Sequence, residues 1–219
     1  MRKTQFENGV YYHLYNRGVD KRKVFLDKRD FERFLLSMNL LNDQNDGLMI
    51  AWRDYKENNP AAELSEFPLL KKKRKKLVEF ICYCLNPNHY HLIVRQLVEK
   101  GIERFMHKLG TSHANYFNTK NKRTGSLFQG SFKAIHIKSN SKLFYLSAYV
   151  NMNHLIHGFK NKEWKYSSLL DYLGKRKGGL CNKKVIMENF KSCADYKKFL
   201  GENIAHMKEK KEDEKYLLE

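Results

Sequence analysis

The stretch "LVEFICYCLNPNHYHLIVRQ", residues 77–96, decides the fold because it holds two apolar runs on either side of a turn. The runs are rich in β-branched and aromatic residues, and Asn86-Pro87-Asn88 between them is a compact turn signal. The sequence therefore predicts a β-hairpin whose second strand carries His89 and His91.

The two histidines lie on one face of that strand, because side chains two residues apart point the same way. Two adjacent imidazoles suit two ligands of one metal ion, with a third ligand supplied by another element. Further along this face, Arg95 is a candidate phosphate contact. The opposite face is predicted to be core and carries Tyr90, Leu92 and Val94.

Cys82 and Cys84 precede the histidines, so a Cys2His2 zinc site is an alternative. The length of the turn decides between the two interpretations. We predict an odd, three-residue Asn-Pro-Asn loop, which places Tyr83 and Leu85 opposite the histidines and turns both cysteines away. An even loop would place Cys84 opposite His91. With the odd loop, the cysteines are small buried hydrophobes.

Other segments show the periods of further strands and helices. "GVYYHLYNRG" (9–18) and "LFQGSFKAIHIK" (127–138) predict strands, the second broken at Gly130. "DFERFLLSMNLLN" (30–42) predicts a helix capped by Asp30, and "SKLFYLSAYVNMNHLIHG" (141–158) predicts another that ends at Gly158. One side of a further helix would carry Ile102, Phe105, Met106, Leu109, His113, Tyr116 and Phe117.

The order strand, helix, strand, strand, helix, strand, helix predicts a ferredoxin-like (RRM-like) α+β fold, in which helices pack on one face of an antiparallel sheet. We assign residues 1–173 to this domain. Residues 43–76 lack a sustained period and are interpreted as an insertion, whose run "KKKRKK" is typical of a solvated face. Residues 174–219 form a basic extension, predicted to be helical with a frayed tail.

Composition favours a nucleic-acid partner. The 219 residues include 42 Lys and Arg against 24 Asp and Glu, a formal charge of +18, and 13% are aromatic. Cations that neutralise phosphates, together with rings that stack on bases, suit binding of single strands. The absence of a long apolar run predicts a soluble, cytoplasmic protein with no membrane partner. Four cysteines are too few for a disulfide framework and indicate a reducing compartment.

Tyr149 and Asn153 lie four residues apart in the third predicted helix and share one face. A phenol and an amide oxygen one turn apart can address the same ion and the same phosphate. In an isolated Tyr-x-x-x-Asn, a half-buried aromatic residue beside a surface amide is the commoner meaning.

Five segments in the same order resemble the single-tyrosine HUH transposases, particularly the REP-associated tyrosine transposases. The segments are "YHLYNRGVDKRKVFLDKRDFERFL" (12–35), "NPNHYHLIV" (86–94), "GSLFQGSFKAI" (125–135), "YVNMNH" (149–154) and "WKYSS" (164–168). The chain departs from the family pattern at His154, where Pro is common, and at Ser131, where Arg is frequent.

The resemblance implies that His89 and His91 are metal ligands, that Asn153 is the third ligand and that Tyr149 is the nucleophile. It also implies cleavage and rejoining of single-stranded DNA beside a hairpin, through a 5′-phosphotyrosine. Two imidazoles and an amide oxygen suit Mg2+ or Mn2+. Candidate DNA contacts are Arg17, Arg95, Arg123, Lys133 and Lys138.

The protein could also form a homodimer. Two other interpretations of its function remain open. In the first, the protein binds a nucleic-acid hairpin without catalysis, and the histidines are structural. In the second, zinc stabilises a binding domain through the cysteines. Neither requires histidines, tyrosine and asparagine together.

Overall fold

A computed structural model describes residues 5–159 and 164–216. Four strands form one antiparallel sheet in the order β2-β3-β1-β4. Their bounds are β1 Tyr11–Arg17, β2 Val78–Asn86, β3 His89–Gln96 and β4 Lys133–His136. This arrangement confirms the predicted α+β fold, with β1 and β3 at the centre of the sheet.

The helices are named in chain order: α1 Lys28–Leu40, α2 Leu48–Asn58, α3 Pro68–Lys71, α4 Gly101–Lys120, α5 Asn140–Ile156, α6 Leu169–Tyr172, α7 Lys184–Met187 and α8 Cys193–Tyr216. Short 3-10 turns occur at Val19–Lys21 and Leu64–Glu66. Among the helices so described, none has the length and apolarity that crossing a bilayer requires.

Helices α1 and α4 cover one face of the sheet, as predicted. Alternate strand residues, including Leu14 and Leu92, point into this main core, and both are fully buried. The predicted apolar side of α4 faces the same core. In addition, α5 and α8 cover part of the opposite face around Cys82, Cys84 and Ile93. The sheet is therefore buried on both sides near β2 and β3.

The cap of α1 is Asp27, and the prediction of Asp30 is wrong. The Asp27 side chain accepts a hydrogen bond from the Asp30 backbone N–H at 3.1 Å. Asp30 itself is fully buried in the first turn, where it accepts from the Leu26 N–H and from the Tyr116 hydroxyl and pairs with Lys120. Asp30 is therefore a buried residue of the first turn and not the cap.

The segment 43–76 forms α2 and α3, which enclose a small core of Leu40, Trp52 and Phe67. Within the basic run, Arg74 pairs with Asp43 at 3.0 Å, whereas the lysines around it are exposed. The run is thus a solvated face anchored by one arginine.

Residues 164–168 close the outer edge of β2. The Trp164 indole donates to the Leu85 carbonyl at 2.8 Å, and Ser168 Oγ accepts from the Tyr83 N–H at 2.9 Å. Ser168 Oγ also donates to Asn151 Oδ1 at 2.6 Å, and Asn151 Nδ2 donates to the Tyr196 hydroxyl at 2.9 Å. These buried bonds fix α5 between β2 and the C-terminal helix.

Helix α5 continues through His154 and ends before Gly158, as predicted. Gly158 has φ of +80°, a left-handed conformation that a side chain disfavours, which is typical of the residue after a helix. His154 lies inside α5, so the helix continues through the position at which the sequence departs from the family pattern.

Acid is expected to destabilise the protein partly through His113. This side chain is fully buried, donates to the Val24 carbonyl at 2.8 Å, and has its pKa lowered by burial from 6.5 to about 4. The unfolded state therefore binds a proton first as the pH falls, and stability is lost between pH 6.5 and 4. At pH 5 the loss is about 2 kcal/mol relative to pH 7.5.

Urea unfolding at pH 7.5 and pH 5 checks this expectation. His113→Gln removes the titrating group, so the variant should lose less stability than the wild type over this interval. Equal losses would show that the neutral imidazole contributes nothing to acid sensitivity.

Candidate active site

The hairpin turn contains two residues, Pro87 and Asn88, so the predicted odd loop is wrong. Asn86 pairs with His89 across the ladder, and Cys84 therefore stands opposite His91. Asn86 extends the strand because its side chain is buried against the site, where Nδ2 lies 2.9 Å from His89 Nε2. The histidine face of the sheet is consequently the face that α5 covers.

Both hairpin cysteines are nonetheless core residues, as predicted. They are fully buried beneath α5, and burial raises the pKa of the Cys84 thiol to about 12 and that of Cys82 well above its usual value. Across residues 5–159 and 164–216, no three His, Cys, Asp or Glu side chains group in a way that could hold a metal ion. A metal site at His89 and His91 therefore needs Asn153 as a ligand.

His89 presents one nitrogen to α5. Its Nδ1 lies 2.7 Å from Asn88 Oδ1, and Asn88 Nδ2 donates to the Lys21 carbonyl at 3.2 Å. Since that second bond fixes the amide orientation, His89 Nδ1 must be the donor, which leaves the lone pair on Nε2. This lone pair faces Asn153 Oδ1 at 3.0 Å.

Asn153 is fully buried, and its side-chain oxygen Oδ1 faces His89 Nε2. Asn86 Nδ2 donates to Asn153 Oδ1 at 2.5 Å, whereas Asn153 Nδ2 has no hydrogen-bond partner among the described residues. Two electron-pair donors, His89 Nε2 and Asn153 Oδ1, therefore converge on Asn86 Nδ2, which a bound cation would have to displace. Neutral imidazole and amide oxygen together fit a divalent cation such as Mg2+ or Mn2+.

His91 lies beside His89, with ring centroids 5.2 Å apart, and contacts a third histidine. His91 Nδ1 is 2.8 Å from Nε2 of His13, a buried residue of β1. Burial lowers the pKa of His91 well below 6.5, and burial with the Lys142 charge lowers that of His13 to about 4. Both rings are neutral at physiological pH, which is the state that binds metals.

Tyr149 lies against these histidines in the same chain. Its ring meets His91 edge to face at 5.6 Å between centroids and His13 at 6.2 Å. It is half-buried on α5, one turn before Asn153. The predicted tyrosine, asparagine and histidines are thus brought together by one helix and one hairpin.

Two of the predicted DNA-contacting cations, Arg17 and Lys133, lie near this face. Arg17 stands opposite His89 in the register, and Lys133 stands opposite Tyr15. Lys133 and Lys138 are exposed, and Arg17 Nε has no hydrogen-bond partner within the described residues.

The other two cations already have partners. Arg95 pairs with Glu79 at 3.0 Å, and its guanidinium lies 5.9 Å from the centre of the Tyr11 ring. Arg123 donates to Asn118 Oδ1 at 2.6 Å and closes the loop after α4. Both bonds are intramolecular contacts that DNA binding would have to share or replace.

Alternation in the first strand leaves His13 facing either the site or the core, and sequence reasoning missed Asn86 and His157 as site residues. His157 follows Asn153 by one turn, with its ring centroid 4.4 Å from that of His89. The period of two in β1 allowed His13 to face the site, but only the β1–β3 register brings it to His91. Asn86 was assigned to the turn. His157 continues the four-residue spacing from Tyr149 and Asn153, which could have indicated it.

Two comparisons with known proteins give matches. The family model of IS200-like transposases matches residues 58–153, a segment that includes the histidine pair, the tyrosine and the asparagine. No curated protein matches the chain.

Eight solved chains resemble the structure. One is a REP-associated tyrosine transposase bound to a REP hairpin, with a TM-score of 0.50 and 12% identity over 80% of this chain and 86% of that one. At this identity the likeness shows a common fold. The family model of IS200-like transposases covers less than half of the chain, so the comparisons show a similarity to that family over residues 58–153 and a shared fold.

Proposed function

We propose that this protein is a transposase that cuts and rejoins single-stranded DNA, with Tyr149 as nucleophile and with a divalent cation held by His89, His91 and Asn153. The contact that best supports the proposal is the convergence of His89 Nε2 and Asn153 Oδ1 at 3.0 Å, one helical turn from Tyr149. Hairpin binding alone requires neither a nucleophile nor paired ligands.

Tyrosine needs help to attack a phosphodiester, because a phenol has a pKa of about 10. Bound Mg2+ or Mn2+ would supply Lewis-acid polarisation of the phosphate. Tyr149 Oη would form a bond to phosphorus as its proton is lost, and the bond to the 3′ oxygen would break. The DNA segment on the 3′ side of the cut would remain on the tyrosine through its 5′-phosphate, and the leaving oxygen of the other segment would take a proton from water to become a 3′-hydroxyl.

Rejoining is the reverse reaction with a second 3′-hydroxyl. One phosphodiester replaces another, so no nucleotide triphosphate is required. The protein's contribution is to hold Tyr149 and the two strand ends in line within a largely buried site.

The proposed DNA partner is a single strand next to a hairpin. The charge of +18 favours phosphate binding, and Arg17 and Lys133 lie near the histidine face. Lys138 is exposed and is proposed as a further contact. Arg95 and Arg123 are proposed as further contacts through N–H groups that their internal bonds leave available. The related solved transposase binds a REP hairpin, which supports the choice of substrate.

The test is incubation of hairpin-containing single-stranded DNA with the protein and Mn2+. The proposal predicts a covalent adduct that survives denaturation, together with a free 3′-hydroxyl. Binding that is unchanged by a chelator and gives no adduct with any divalent metal would favour a non-catalytic hairpin-binding protein.

Tyr149 is expected to act on the site of its own chain, because its ring already lies against His91 there. Mixing Tyr149→Phe with His89→Ala protein should then restore no adduct, since neither chain holds both groups. Gel analysis of the mixture checks this. Recovery of a substantial part of wild-type activity would indicate that partners exchange tyrosines within a dimer.

A further inference from the structure

His13 is almost completely buried, yet its ring makes no hydrogen bond to the backbone of the described residues. Its Nε2 is 2.8 Å from His91 Nδ1, and its Nδ1 has no partner in the part of the chain that the structure describes. By contrast, buried His113 bonds to the Val24 carbonyl. His13 therefore directs its hydrogen bonding at the imidazole of a proposed metal ligand.

The direction of this bond decides whether His91 can bind a metal. Two ring nitrogens 2.8 Å apart share one proton, so one nitrogen of the pair carries it and the other accepts it. If His13 Nε2 donates, the proton of His91 lies on its own Nε2, which then has no free lone pair. If His91 Nδ1 donates, its Nε2 is free.

In His89, Nδ1 is the donor and Nε2 is free of a proton. Its Nδ1 donates to Asn88 Oδ1, which leaves Nε2 facing Asn153. The ring nitrogen away from a metal commonly donates to an acceptor that fixes the tautomer and the ring orientation. The same arrangement at His91 requires His13 as the acceptor.

The geometry points to His13 as a positioning residue that accepts a hydrogen bond from His91 Nδ1 and thereby holds His91 Nε2 available for the cation. The inference rests on the proposed function for the identity of the ligand. The tautomer itself is a property of the metal-free protein and can be measured without DNA.

The first test is nitrogen NMR of metal-free protein labelled with 15N-histidine, with His91 assigned by its loss in His91→Gln. The expected spectrum shows a protonated Nδ1 and an unprotonated Nε2 for His91. A proton on Nε2 would overturn the inference. This readout does not depend on metal binding, so it remains decisive if the wild type binds no Mn2+.

The second test compares Mn2+ affinity, measured by electron paramagnetic resonance, in folded variants. His13→Leu removes the acceptor and should weaken binding about 10–100-fold, as loss of such a partner commonly does. His13→Gln keeps an acceptor oxygen and should restore most of the affinity. His113→Leu, which also removes a buried imidazole, should leave the affinity unchanged.

The outcomes separate this inference from the proposed function. Wild-type affinity in His13→Leu, or equal losses in the Leu and Gln variants, would refute the positioning role. Mn2+ binding that is insensitive to His89 and His91 would instead refute the proposed ligands, while the His91 tautomer still decides what His13 does.

Discussion

Tyr149→Phe is expected to abolish the covalent adduct with single-stranded DNA, with a loss of at least about 10³-fold as for removal of other enzymatic nucleophiles. Phenylalanine keeps the ring that contacts His91 and His13, so the fold and hairpin binding should be retained. Denaturing gels report the adduct, and filter binding reports the affinity.

Two other tyrosines provide controls. Tyr145 lies one turn earlier on α5 and is half-buried in the same cluster, so Tyr145→Phe should leave the adduct unchanged. Tyr15 is the stronger rival, because its ring stacks on His91 at 5.6 Å between centroids. Persistence of the adduct in Tyr149→Phe and its loss in Tyr15→Phe would reassign the nucleophile to β1.

His89→Ala is expected to lower adduct formation about 10²–10⁴-fold, because it removes one of the two converging electron-pair donors. Excess EDTA should reduce the wild type to a similar level, and added Mn2+ should restore the wild type alone. Hairpin binding should change little, since the cations remain.

His107→Ala is the matched control, since it removes an exposed imidazole from α4 on the other side of the sheet. Its adduct yield should equal that of the wild type. An adduct that resists both EDTA and His89→Ala would show that the cleavage is independent of a metal at this site.

Periodicity predicted α1 and α4 because each of these helices has one strongly buried face. The α4 residues from Ile102 to Phe117 face the main core, and the hairpin strands run as expected. The same reasoning joined Tyr149 to Asn153, since both positions follow from helical spacing. Their meeting with the histidines came from the family resemblance, because spacing within one helix carries no information about a distant strand.

The errors arose where a tertiary contact overrode a local signal. Asn86-Pro87-Asn88 has the composition of a three-residue turn, but Asn86 joins the ladder because its amide bonds to Asn153. Asp30 has the composition of a cap, but Asp27 is the cap, and the Asp30 carboxylate is buried inside the helix against Tyr116 and Lys120. Neither partner is close in sequence.

His13 illustrates a limit of strand patterns. Alternation in β1 places it on one of two faces, and only the pairing with β3 decides that this is the histidine face. Charge patterns have a similar limit. The sequence does not show that Arg95 pairs with Glu79 or that Arg123 donates to Asn118 in the folded protein.

The most direct test of the account is to identify the residue to which DNA is attached. Adduct formed on hairpin-containing single-stranded DNA with Mn2+ would be digested with protease and nuclease, and the nucleotide-linked peptide sequenced by mass spectrometry. The account predicts one linked peptide, carrying a 5′-phosphate on Tyr149. Attachment at Tyr15 or any other residue, or the absence of a linked peptide under these conditions, would contradict it.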